Sequence, residues 1–243
     1  MDSWIASAIT GYIGERVIVQ NVSLPISSHK ITVVLGPSGS GKTSLLRILA
    51  GLWDGRVVGV QNNRLLRVGY VAQRDFLFPW MTLERNMTFP AALAQIPRGE
   101  VQNSLNELSH LFRIGHLLNR FPYQVSGGEL QRALIVRSLV AGAHLLLLDE
   151  PMNSLDVASR IALRQSLKSA VALGSVSLVL VTHELPDAIS IADYICVCSG
   201  PPLQIEKLLT RTVDGKFNCA TDSCSAEEVR LLIERDLANF SRD

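Results

Sequence analysis

Gly36, Pro37, Ser38, Gly39, Ser40, Gly41, Lys42 and Thr43 follow one another with the spacing of a chain that curls around a phosphate group. Glycines at 36, 39 and 41 accept backbone angles closed to other residues, so several N–H groups can converge on an anion at close range. A helix begun near Lys42 turns its positive end to the same point. Lys42 is then expected to reach the β- and γ-phosphates of a nucleoside triphosphate, and Thr43 to offer its hydroxyl to Mg²⁺. A second reactive set is Asp149 and Glu150, adjacent carboxylates behind four consecutive leucines, 145 to 148. An apolar strand ending in acids is how an α/β sheet brings charge to a ligand at its carboxyl edge. Asp149 is expected to orient Mg²⁺, and Glu150 to polarise the water that attacks the γ-phosphate. A third is Ser126-Gly127-Gly128, where a hydroxyl and unhindered N–H groups at a helix start suit an anion; read alone, the same three residues are an ordinary helix cap.

These groups need a scaffold, and the apolar pattern supplies one. Residues 31 to 35 form a short β-branched run ending at Gly36, and Leu45, Leu46, Ile48, Leu49 and Leu52 recur at helical spacing, so strand, glycine loop and helix follow in order. A looser alternation over 17 to 26 predicts a half-buried strand, and 68 to 72 another. From about 76 to 140 the βα rhythm gives way to helical periodicity, with Leu105, Leu108, Leu111 and Phe112 on one side and a helix from Gly127 through Leu130, Leu134 and Ile135. That stretch reads as an inserted helical subdomain. The runs 145 to 148 and 178 to 181 are uniformly apolar and belong inside a sheet covered on both faces. After Gly200 the pattern fades until 226 to 240, where Val229, Leu232, Ile233 and Leu237 line one side of a helix, giving a tail over about 201 to 243.

In this order the motifs resemble the ABC ATPase family, over nearly the whole stretch from Tyr12 to Gly200. The phosphate loop is similar to its Walker A motif, and Gln73 to its Q-loop glutamine. Ser126 to Gly128 resemble its signature sequence, and Asp149 with Glu150 its Walker B motif and catalytic glutamate. Asp156 resembles the D-loop aspartate, and His183 the switch histidine that contacts the γ-phosphate. The resemblance implies an α/β fold of P-loop NTPase type over 1 to 243, with a mostly parallel sheet, helices on both faces and an antiparallel β region. It implies ATP and Mg²⁺, with residues 36 to 44, including Ser44, and Asp156 on the nucleotide, and Thr43, Gln73 and Asp149 on the metal. Glu150, His183, Gln73 and Lys42 would form the hydrolytic set. Tyr12 is similar to the aromatic residue that stacks on adenine, with Trp4 or simple packing as alternatives. It also implies a head-to-tail dimer in which Ser126 to Gly128 of one copy close over ATP held by Lys42 of the other.

Residues 73 to 80 (Gln73 to Trp80) and Ser199 to Pro202 resemble the corresponding segments of importer ATPases for nitrate, taurine and alkanesulfonates, and cassettes for thiamine precursors share much of both. The implied partners are a membrane permease, which Phe78 and Trp80 would meet unless they pack within the lobe, and a solute-binding protein. The sequence departs from the family in reading VSGGE for the signature and in Pro151-Met152-Asn153 ahead of the D-loop. Glu129 places a carboxylate beside a phosphate-binding turn, which weakens closure if it points inward.

Composition bounds the rest. Apolar residues are 47% of the chain and charged ones 19%, with a formal net charge of +1, which leaves no electrostatic footprint for nucleic acid. The apolar runs fall far short of the ~20 residues that cross a bilayer, and the first residues lack a basic start to a secretory leader. A peripheral place on the cytoplasmic face of the membrane follows as the expectation. Cys196, Cys198, Cys219 and Cys224 match neither a metal nor a disulfide framework and read as reduced thiols, a local site at 219 and 224 being the alternative. The competing function is a soluble ABC ATPase of an assembly complex, with no permease.

Overall fold

The computed structural model describes residues 4–61, 67–174, 176–218 and 223–224. They belong to two compact units, one within residues 1–64 and 177–243, the other within 65–176.

The first unit opens with β1 (Trp4–Ile13) and β2 (Arg16–Ile26), paired antiparallel around Gly14 at φ 58°. The sequence shows no strand at β1 because its pairing slips: register shifts lie between Ala6 and Ile9 and between Ile9 and Gly11, with Ala8 at φ 53°. A bulge of this kind breaks the alternation of faces, so Ala6 and Ile9, three residues apart, are both buried. β3 (Ile31–Leu35) is buried along its whole length, as its run of branched side chains requires. The glycine loop leads from it into α1 (Lys42–Leu49). β4 (Val57–Gln61) then pairs with β1, completing a three-stranded sheet in the order β2-β1-β4. α1 and β1 touch so closely that a Cβ on Gly11 would lie 2.4 Å from Ile48 Cδ1.

In the second unit β5 (Val68–Val71) runs parallel to β6 (Leu145–Asp149), with Val71 beside Leu148. Between them come α2 (Leu83–Leu93), α3 (Arg98–Leu111) and α4 (Gly127–Val140), and α5 (Val157–Ala172) follows β6. α4 is the centre of this unit. It packs on α2, α3 and β5, burying Leu134, Ile135, Val136, Leu139 and Val140. Thr82 caps α2 by accepting the N–H of Arg85 at 3.4 Å.

The chain returns to the first unit with β7 (Ser177–Thr182), α6 (Leu185–Ile191), β8 (Tyr194–Ser199), β9 (Gln204–Arg211), β10 (Phe217–Asn218) and β11 (Ser223–Cys224). β3 lies between β7 and β8, parallel to both, with Leu35 opposite Thr182 and Val197. β9, β10 and β11 extend this sheet antiparallel from β8. α1 packs on β1, β2 and β7, and so fills the space between the two sheets of the unit. The faded pattern after Gly200 is therefore strand at first: β9 alternates between exposed and half-buried positions over 204 to 208 before Leu209 is buried. The helix expected over 226 to 240 lies outside the described residues, as does Cys219. Among the described residues no helix is long and apolar enough to cross a membrane, and no group of His, Cys, Asp and Glu could hold a metal ion by itself.

Candidate functional site

The phosphate loop leaves β3 at its carboxyl end. Gly36 N–H donates to the carbonyl of Thr182 at 3.3 Å, so the loop starts level with the end of β7. A Cβ on Gly36 would sit 2.4 Å from Cys198 Sγ and 2.6 Å from the Cys198 carbonyl oxygen, which makes β8 the floor of the loop. Gly39 and Gly41 stand at φ 81° and 108°, angles that glycine takes at no steric penalty. Ser40 is fully buried, its Oγ 3.8 Å from Cys198 Sγ. Burial raises the Cys198 thiol and pushes Cys196 up to about 12, so both behave as packing groups.

Lys42 is buried under the loop, and its Nζ donates to the carbonyls of Gly36 at 2.9 Å and Pro37 at 2.6 Å. The ammonium is thereby held inside the curl it helps to shape. Ser38, Gly39 and Thr43 are exposed, while Pro37, Gly41 and Ser44 are half-buried. The loop thus presents backbone N–H groups, one lysine and an accessible hydroxyl at the positive end of α1, a donor set that fits the phosphates of a nucleotide and a Mg²⁺ ion beside them.

His183 follows β7 directly and is exposed at the same strand edge, one residue past the Thr182 that bonds Gly36; its Nε2 lies 3.7 Å from Glu184 Oε1. Tyr12 lies inside β1 and is half-buried. One face of its ring carries the Arg56 guanidinium at 4.1 Å from the centroid, and its carbonyl accepts Trp53 Nε1–H at 3.1 Å. A stacking partner for Tyr12 must therefore take the other face or displace Arg56. The Trp4 side chain, the alternative stacking group, lies outside what the structure describes.

In the second unit, Val71 and Leu148 are register partners, so Gln73 and Glu150 emerge just beyond the same edge. Asp149 is 2% exposed and accepts the Tyr70 hydroxyl on Oδ2 at 3.5 Å. Glu150 stands at φ 47°, an angle few non-glycine residues take. Its Oε2 accepts Gln73 Nε2–H at 3.2 Å and Asn153 Nδ2–H at 3.1 Å, while its carbonyl accepts Asn153 N–H at 3.1 Å. Sequence reading had no signal for Asn153, beyond its being an unusual residue for the family at that place. Asp156 caps α5 by accepting Ser159 N–H at 3.0 Å, and hydrogen bonds from the Ser159 side chain and then its backbone hold the carboxyl below its ordinary range.

Ser126 caps α4. Glu129 turns back to it: Oε2 accepts both the Ser126 N–H and the Ser126 Oγ–H at 2.8 Å, and Glu129 N–H returns to Ser126 Oγ at 3.4 Å. Bonds from the Ser126 backbone and then its side chain keep the Glu129 carboxyl below its ordinary range. Gly127 is open, whereas a Cβ on Gly128 would meet Ser159 Oγ at 2.8 Å, so the second glycine is set by the start of α5. Arg137, one turn before the end of α4, donates to Asp75 Oδ2 at 2.6 Å and to the Phe76 carbonyl at 2.9 Å, tying the segment after Gln73 to this helix. Trp80 is 70% exposed and stands with Phe78 and Phe89 in one aromatic cluster on the surface of the unit.

A glycine loop that opens a helix, in a chain that also carries a buried strand ending in two acids, defines the P-loop nucleotide-binding class of α/β proteins. The family model described as ABC transporter matches residues 19–153. The chain is 37% identical over 206 residues to the sulfate/thiosulfate import ATP-binding protein CysA of Yersinia pseudotuberculosis, covering 79% of this chain and 56% of that one. It is 35% identical over 197 residues to the maltose/maltodextrin import ATP-binding protein MalK of Vibrio vulnificus, covering 77% and 53%. This chain therefore belongs to the ABC transporter family of ATP-binding proteins, and it spans just over half the length of these curated relatives. Its fold is the ABC cassette. A solved ATP-binding subunit of an ABC transporter superposes with a TM-score of 0.73 at 20% identity, covering 96% of this chain and 100% of that one. A bacterial ABC transporter cassette solved as a dimer gives 0.68 at 25% identity, covering 86% and 98%.

Proposed function

We propose that this chain binds and hydrolyses ATP to power solute import through a separate membrane permease, and that it works as a head-to-tail pair of copies. The observation that supports this most is the phosphate loop, where glycines stand at left-handed angles, a lysine is drawn onto the loop carbonyls and Thr43 is exposed at the start of α1. Residues 36 to 44 hold the triphosphate, and Lys42 exchanges its bonds to Gly36 and Pro37 for phosphate oxygens. Thr43, Asp149 and Gln73 would hold a Mg²⁺ ion, which would supply charge neutralisation on the phosphates. Glu150 accepts the proton of the attacking water, its carboxylate oriented by the amides of Gln73 and Asn153 on Oε2. His183 faces the γ-phosphate and Tyr12 stacks on adenine by the face opposite Arg56. Ser126, Gly127, Gly128 and Asp156 act on the nucleotide held by the second copy, so ATP favours pairing and ADP, lacking the γ-phosphate, does not.

The partners are then a second copy, permease subunits and a solute-binding protein, with no nucleic acid, and the chain sits at the cytoplasmic face of the membrane. For cargo we favour a small oxyanion or sulfonate, on the likeness of Gln73 to Trp80 and Ser199 to Pro202 to the nitrate, taurine and alkanesulfonate cassettes; thiamine precursors are the second class. The aromatic cluster of Phe78, Trp80 and Phe89 is the surface offered to the permease. Calorimetry with MgATP, paired with gel filtration of Glu150→Gln in ATP and in ADP, tests the reading. Binding lost in Lys42→Ala, with pairing in ATP alone, is the expected result. Wild-type protein that binds no MgATP overturns it, and recovery from detergent extracts with soluble factors alone overturns the transport part.

A further inference from the structure

The start of α4 carries a knot of hydrogen bonds that bears on how the serine-glycine turn can meet an anion. A serine hydroxyl has one proton to donate. Here Ser126 gives it to Glu129 Oε2 at 2.8 Å, and the same oxygen, Oγ, accepts Glu129 N–H at 3.4 Å. What Oγ offers outward is a lone pair, the wrong polarity for a phosphate oxygen. The Ser126 N–H is engaged as well, by the same carboxylate oxygen at 2.8 Å. A phosphate arriving at this turn must therefore take the hydroxyl proton away from a charged acceptor, and it meets the negative charge of Glu129 at the helix end that would otherwise attract it. The carboxylate stays charged, since the Ser126 donors, followed by Arg132 and His116, favour the ionised form. An amide at position 129 keeps the shape and the acceptor for Ser126 N–H but loses the charge.

We propose that Glu129 is a positioning residue that competes with the γ-phosphate for the Ser126 hydroxyl, and so raises the ATP concentration at which two copies pair. This rests on the reading in which residues 126 to 128 close on the nucleotide of the second copy. Glu129 acts through Ser126 and touches no reacting atom.

The test measures the MgATP concentration for half-maximal pairing, by analytical ultracentrifugation, in Glu150→Gln and in the same protein carrying Glu129→Gln. The midpoint is expected to fall by roughly three- to tenfold in the double variant, with the affinity of the single copy for ADP unchanged. A role confined to capping α4 predicts the reverse: weakening the cap acceptor leaves the midpoint where it was or raises it. Glu129→Ala, which removes the acceptor altogether, serves as the second variant; if folded by circular dichroism, it too must pair at lower ATP. A midpoint unchanged or raised by Glu129→Gln overturns the proposal while leaving the two-copy reading intact. Failure of Glu150→Gln itself to pair at saturating MgATP overturns both.

Discussion

Asn86 is 1% exposed and has no apolar reason to be inside α2. Its Oδ1 accepts Phe78 N–H at 2.7 Å, and its Nδ2 points at the carbonyls of Phe78, Met81 and Thr82 at 3.0, 3.1 and 3.0 Å. Two amide protons serve three carbonyls, so one of these bonds is shared. The side chain supplements the sparse backbone pairing of the segment 78 to 82, where Met81 N–H reaches the Phe78 carbonyl and Asn86 N–H the Thr82 carbonyl, and that segment carries Phe78 and Trp80. Asn86→Ala removes every one of these bonds; the Phe78 and Thr82 carbonyls keep the backbone N–H groups of Met81 and Asn86, while the Phe78 N–H and the Met81 carbonyl lose this partner. Each lost bond is worth about 1 kcal/mol net, and an orphaned buried group about 1–3 kcal/mol. With the exposed flank of the loop solvating some of the carbonyls, we expect a loss of about 3 kcal/mol, which in a protein of this length lowers Tm by about 6–12 °C. Urea unfolding measures the first figure, and hydrogen exchange at the Phe78 amide locates it. Asn86→Asp keeps the shape and the acceptor but turns a carboxylate towards three carbonyl oxygens, so it must destabilise at least as much as alanine. If Asn86→Ala stays within about 0.5 kcal/mol of wild type, or exchange at Phe78 is unchanged, the network does not hold the loop and the reasoning fails.

Two further substitutions probe the candidate site. Gly36→Ala drives a Cβ against both the sulfur and the carbonyl of Cys198, so affinity for MgATP by calorimetry is expected to fall about tenfold or more; adding Cys198→Ala relieves only the sulfur contact, and full recovery in the double variant would show that the carbonyl contact does not matter. Asn153→Ala removes one of the amide donors on the Glu150 carboxylate, and kcat for ATP hydrolysis is expected to fall about three- to tenfold with KM held; a raised KM at constant kcat would place Asn153 in binding instead.

How far these features can be read from sequence depends on the range over which each is decided. The glycine spacing of 36 to 43 and the four leucines before Asp149 are local: a φ that only glycine takes freely, and a strand too apolar to face water, are written in consecutive residues. Helices α3 and α4 are legible for the same reason, since 3.6-residue periodicity is a property of one segment. β1 is not, because its bulges reset which face each residue takes and its partners β2 and β4 are chosen by pairing. β9 carries an outer strand's weak alternation, which becomes a strand only because β8 offers it an edge. The side-chain details are further still from the one-dimensional pattern. Arg56 over Tyr12, Asn153 on Glu150 and Asn86 under Phe78 depend on which rotamer meets which neighbour once the backbone is in place. Ser126 and Glu129 sit at a spacing any reader can see, yet whether that carboxylate faced outward or turned back was settled by the cap of α4. The sequence by itself determined the chemistry carried at each position, since local backbone limits and apolar runs need no partner. Tertiary structure alone decided which donors those groups meet, because a hydrogen bond is directional and its second atom comes from elsewhere in the fold.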